Sequence, residues 1–176
     1  MKTINYMMLM LLILVFKITR AQDLTPKGSN IANPKLQKFA GSWISINQQD
    51  TIWLKLKVEN IKFPGSLELT GDVIVGYIKY LKGKQPIFDN ISKSNLLHSN
   101  GASSILAGLN QKGDTITGTL RDQLKNKSLA LTLALSKSEK LLSFFSTYTE
   151  GLWLGGKSGR TLPPNLVFRK INIMKE

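Results

Sequence analysis

The chain has 176 residues, of which 42% are hydrophobic and 20% charged, with a formal net charge of +13 and no cysteine. This is the composition of one globular domain. It excludes a disulfide framework, a thiolate metal centre and a cysteine nucleophile, so an apolar core must hold the fold.

Lys2 precedes the apolar run "YMMLMLLILVF" (6–16), which is followed by a short polar stretch and Ala21-Gln22. That order matches a secretory signal peptide over residues 1–21, cut between Ala21 and Gln22. The run is too short to span a bilayer, which takes about 20 residues, so no membrane span is expected in the mature chain. Removing Lys2, Lys17 and Arg20 lowers the formal charge from +13 to +10. A basic surface favours anionic partners. Its cations are nearly all Lys, and only Arg121, Arg160 and Arg169 could supply planar bidentate contacts, so specific nucleic-acid recognition is not expected.

Residues 22–38, with two prolines and little periodicity, are expected to form an extended lead-in. The domain proper is expected over 39–176. "TIWLKLKV" alternates Ile52, Leu54, Leu56 and Val58 against Trp53, Lys55 and Lys57, as a half-buried strand does. The 66–88 stretch changes phase, with Leu67, Leu69, Val73 and Val75 in one frame and Ile74, Ile78 and Tyr80 in the other. A bulge or break at Gly71 or Gly76 is therefore predicted. Residues 89–103 are rich in Ser, Asn and Gly and predict a loop. "SILAGLNQKGDTITGTL" predicts a hairpin, "SLALTLALS" is the cleanest period-two strand, and "LLSFFSTY" and "NLVFRKINI" complete the series. Eight or nine short strands joined by turns predict an all-β, antiparallel up-and-down meander that closes into a barrel and removes its own edges.

Gly41-Ser42-Trp43, opening the first long strand, resembles the G-x-W element of the calycins, the lipocalin and fatty-acid-binding superfamily. The resemblance implies a lipocalin-like barrel in which Trp43 closes one end beneath a basic side chain of the last strand, with Arg169 in the expected place. "KFAGSW", "DTIWLKL", "DTITGTLRDQLKNKS" and "LPPNLVFRK" together resemble a family of small exported Bacteroidetes proteins that contain a domain of unknown function. That resemblance implies secretion, to the periplasm or beyond the cell, and a β-rich domain. It brings no activity, cofactor or catalytic residue.

Signals of chemistry are sparse. "GLWLGGKS" (151–158) matches the phosphate-binding G-x-x-x-x-G-K-S pattern, but Pro163 and Pro164 oppose the helix such a loop must open, so a plain crossing is expected. His98 is the sole histidine, and neither a G-x-S-x-G elbow nor a metal-ligand set accompanies it. Arg121, Lys125 and Lys127 could make a local anion patch, although a charged connection between strands is the simpler reading. The sequons at Asn90 and Asn126 would carry no meaning in a bacterial protein. The expectation is a non-enzymatic exported barrel, with no cofactor, that takes a small apolar or amphipathic ligand. The alternatives are an envelope module that binds anionic glycans through its basic surface, and, with least support, a small hydrolase.

Overall fold

The computed structural model describes residues 26–110, 113–149 and 156–172. The signal segment, the Ala21-Gln22 junction and the first half of the G-x-x-x-x-G-K-S match lie outside them. The strands are β1 (Asn30–Ile31), β2 (Gly41–Asn47), β3 (Asp50–Lys62), β4 (Thr70–Lys82), β5 (Gln85–Asp89), β6 (Ile105–Leu109), β7 (Thr115–Asp122), β8 (Lys127–Leu135), β9 (Leu141–Tyr148) and β10 (Asn165–Ile171). Eight of them, all but β1 and β5, form a closed antiparallel barrel. Sequence neighbours pair all the way round, β10 returns to β2, and β4 pairs with β6 to complete the ring. The meander read from the sequence is therefore the architecture. Closure pairs every barrel strand on both sides over at least part of its length, and the two short outer strands both pair with β4.

Alternation sets the interior. Trp43, Ile52, Leu54, Leu56, Ile74, Ile78, Ile116, Leu120, Leu129, Leu131, Leu133, Leu142, Phe144, Leu166 and Phe168 point inward and are buried in one cluster. Phe144 and Phe168 meet edge to face, with ring centroids 6.0 Å apart. Two inward glycines permit the packing. A Cβ on Gly76 would lie 2.8 Å from Ile105 Cβ, and one on Gly118 would overlap the Leu106 carbonyl oxygen and lie 2.5 Å from Ala107 Cα.

The phase change in the 66–88 stretch has a cause other than the expected break. β4 is continuous, and its register with β3 runs uninterrupted from Thr70 to Lys82. Both of its faces are buried. Ile74, Ile78 and Tyr80 face the barrel core, while Val73, Val75 and Tyr77 form a second cluster outside with Ala102, Ile61, Phe63, Ile91 and Leu106. The segment between β5 and β6, a loop with two single-turn 3-10 helices at Ile91–Lys93 and His98–Asn100, lies over that outer face. It is pinned by buried Asn90, whose Oδ1 accepts the Ile78 N–H at 2.7 Å and whose Nδ2 donates to Ala102 O at 2.7 Å.

The lead-in also differs from expectation. A 3-10 helix, Pro34–Phe39, plugs one end of the barrel and buries Leu36 and Phe39 completely. Two apolar residues three apart are too few to reveal periodicity in sequence, yet they suffice to cap a barrel mouth. Upstream of the helix, the Asn33 N–H donates to Asp72 Oδ2 at 2.9 Å and Asn60 Nδ2 donates to Asp72 Oδ1 at 2.8 Å. The Asn60 contact first, and the Asn33 contact second, hold the Asp72 carboxyl below the usual carboxylate range.

Candidate functional site

The barrel interior is filled by its own side chains. Among the described residues, the cavity reaching inward between Ile78, Phe88, Leu120 and Leu162 has a volume of about 20 Å³, room for about one water. A cavity of that size does not admit the small apolar or amphipathic ligand expected from the sequence. The physical reason is the supply of large inward residues: four leucines of β8, two phenylalanines and Trp43 occupy a ring of only eight strands.

The closed end holds Gly41, Trp43 and a cation as expected, but the cation is a different residue. Trp43 is fully buried, and its Nε1 donates to Phe39 O at 3.0 Å. The ammonium over its ring is that of Lys170, 5.1 Å from the centroid, which also donates to Lys38 O at 3.2 Å. Lys170 is the direct cross-strand partner of Trp43, whereas Arg169 pairs with Ile44. The parity of β10 decides this: Leu166, Phe168 and Lys170 share the inward frame, and Arg169 falls with Asn165 and Val167 outside. "LVFRK" carries that frame in its pattern, so counting from the two apolar residues would have found Lys170. Gly41 has φ +126°, and a Cβ there would meet Lys170 Cε at 3.3 Å.

The other marked residues separate. Gly156, Lys157 and Ser158 lead into loop and then β10, with no helix after them. Lys157 N–H donates to Lys125 O at 2.9 Å. Asp122 accepts Thr161 N–H at 2.7 Å and Thr161 Oγ1 at 2.6 Å, so the crossing is strapped to the β7–β8 turn. Arg121 and Lys127 fall in opposite frames of the β7–β8 hairpin. Arg121 lies in the outward frame of β7, while the Lys127 ammonium sits over the Tyr148 ring at 5.4 Å. His98 is anchored twice, its N–H donating to Glu59 Oε1 at 2.7 Å and its Nδ1 lying 2.7 Å from Ser103 Oγ. Glu59 Oε2 faces Lys57 Nζ at 3.1 Å. The Glu59 carboxylate thus holds backbone and a lysine, and among the described residues no carboxylate orients the imidazole as a catalytic triad requires.

With the interior full, the outer wall offers the remaining room. Lys79, Trp53, Ile44, Arg169 and Leu141 are successive cross-strand partners on β4, β3, β2, β10 and β9. They form one ladder of two cationic and three apolar side chains on the outside of the barrel. Half-buried Trp53 lies in a groove of about 360 Å³ with Lys55, Lys79, Leu81, Ser42 and Ile171. At the other end of the ladder Lys140, Leu141, Arg169, Lys170 and Asn172 line an open groove of about 390 Å³. Among the described residues neither Arg169 nor Lys55, Lys140 or Lys170 forms an ion pair; Lys79 is held by Asp89 at 3.1 Å. Sequence reading passed over Trp53 as part of a solvent-facing lysine frame; an indole in that frame was the available signal.

Fold and surface together define the class: a closed, filled, eight-stranded up-and-down barrel, plugged at one end by a 3-10 helix and bearing an aromatic and cationic outer strip. The chain belongs to a family of unknown function, DUF6705, whose profile matches residues 1–151 and ends before the closing strand β10. No curated protein and no solved structure matches it.

Proposed function

We propose that this chain is an exported, non-enzymatic interaction module that binds acidic polysaccharide along the Trp53–Arg169 strip. The observation that carries this reading is the ladder itself: an indole in a groove on the outer wall, flanked by cations, on a barrel with no interior room. The apolar C–H face of a sugar ring packs on an aromatic face, while carboxylate, sulfate or phosphate substituents meet Lys55, Lys79, Arg169 and Lys170. Export rests on the N-terminal charge and hydropathy pattern. A calycin-type barrel is supported by Gly41, Trp43 and the last-strand cation over Trp43, with Lys170 in place of an arginine.

The non-enzymatic reading has its support in the acids. Asp50, Glu59, Asp72, Asp89 and Asp122 each accept a hydrogen bond from the fold, and Glu68 pairs with Lys27 and Lys62. Such carboxylates are committed to structure.

The test is binding of the purified exported protein to heparin and polygalacturonate, with dextran as the neutral comparison. Binding to the two anionic polymers alone is expected, weakening steeply as salt rises to about 0.5 M because exposed charge contacts are screened. Trp53→Ala and Arg169→Glu should each weaken it, and polymer length should not change on incubation. Binding that ignores both salt and these substitutions would overturn the assignment.

A further inference from the structure

On the far side of β4 from Trp53, a second groove of about 440 Å³ runs between the 98–104 stretch and the outer faces of β6, β7 and β8. Its polar lining includes His98, Ser99, Ser103, Thr119, Arg121 and Ser128, and Leu106 is part of its apolar lining. We propose that this groove binds a tetrahedral oxyanion, the phosphate or sulfate ester of a sugar-sized ligand.

Three features carry the proposal independently of the Trp53 strip. The first is uncompensated charge. Among the described residues no carboxylate lines the groove and Arg121 forms no ion pair. The adjacent acid, Asp122, falls in the opposite frame and is 6% exposed, held by Thr161. The nearby Glu59 is taken by the His98 N–H and Lys57. A guanidinium presents a planar fork of donors that fits two oxygens of such an anion.

The second is proximity. The Arg121 backbone is tied to the 98–104 stretch by an N–H bond to Ser104 O at 2.7 Å, and the His98 ring is held by Ser103. The tautomer in which Nδ1 accepts the Ser103 hydroxyl proton carries its own proton on Nε2, which makes that nitrogen a donor. The third is the wall. Thr119, Ser128 and Ser99 supply hydroxyls that donate to anion oxygens or pair with sugar hydroxyls, and Leu106 offers an apolar surface to the ring.

Because His98 is the only histidine, its ring resonances report this site without ambiguity in an NMR titration of the purified exported protein. Glucose 6-phosphate, glucose 6-sulfate and unmodified glucose are the probes. Either ester should shift the His98 signals and glucose should leave them in place; the ester that saturates first identifies the source of the anion. Arg121→Gln should keep the thermal midpoint, since this side chain is exposed, and weaken ester binding roughly 10- to 100-fold, the loss of a charge-assisted contact. Trp53→Ala should leave the His98 response unchanged, so that failure of polysaccharide binding with a persistent His98 response would sink only the earlier reading. The proposal is overturned by His98 signals that neither ester moves at about 10 mM, the weak-binding regime where such contacts still register. It is equally overturned by wild-type ester affinity in Arg121→Gln, or by loss of the His98 response in Trp53→Ala.

Discussion

Replacing Trp43 by alanine removes the largest side chain at the plugged end. Its indole is fully buried, donates to Phe39 O at 3.0 Å and lies 5.1 Å beneath the Lys170 ammonium. Truncating a buried aromatic to Ala costs about 3–5 kcal/mol, the orphaned Phe39 carbonyl adds about 1 kcal/mol, and the lost cation–π contact adds about 0.5–1 kcal/mol at this exposed ammonium. The expected total is about 4.5–7 kcal/mol, a large share of a small domain's stability. Lys170→Met keeps the apolar stem over the ring and loses the charge and the exposed bond to Lys38 O, for about 0.5–1 kcal/mol. Arg169→Ala, outside the barrel, should fall within about 0.5 kcal/mol of wild type. Urea unfolding at constant slope is the assay. A Trp43→Ala loss below about 1 kcal/mol, or an Arg169→Ala loss exceeding that of Lys170→Met, would refute the assignment of Lys170 as the closing cation.

Two further outcomes are expected. Gly118→Ala places a Cβ against the Leu106 carbonyl and Ala107 Cα, backbone atoms that cannot rotate aside, so a loss of about 3 kcal/mol or more is expected. Gly108→Ala, with nothing within 4 Å of its added carbon, should be nearly neutral in the same urea titration. Tyr80 has its hydroxyl pushed up to about 12, first by burial and then by its hydrogen bond to Asp50 and that carboxylate's charge. The folded state therefore keeps a proton that the unfolded chain releases near pH 10. This contribution is intact below about pH 10 and is lost as pH rises through about 12, roughly 1–3 kcal/mol in all. Unfolding free energies compared at about pH 9 and pH 11.5 should fall more for wild type than for Tyr80→Phe; equal falls would contradict the Tyr80 assignment.

Local patterning made most of the barrel legible. Leu129, Leu131, Leu133 and Leu135 alternate so regularly that β8 and its inward face follow from sequence, and the turn-separated strands around it imply the meander. Where two cores share one strand, patterning misled: the double burial of β4 reads as a phase break because period two assumes that one face meets solvent. The plug helix escaped notice because Leu36 and Phe39 gain their burial from the barrel mouth beneath them. Arg169 is the cation that the calycin resemblance implies, but the inward frame of Leu166 and Phe168 points to Lys170. Of the proposed sites, His98 and Arg121 were each visible as unusual residues. Their convergence was not, since they lie on different elements.

By itself, then, the sequence determined the class: strand-forming alternation, no staples, a basic balance and an N-terminal segment patterned for export. These are short-range properties, written into neighbouring residues. Only the tertiary structure decided that the barrel is full, that Trp53 and Arg169 stand on one ladder, and that His98 faces the same groove as Arg121. Those facts depend on register and on the volumes of residues distant in sequence, which become neighbours only when β10 closes on β2 and the ring is complete.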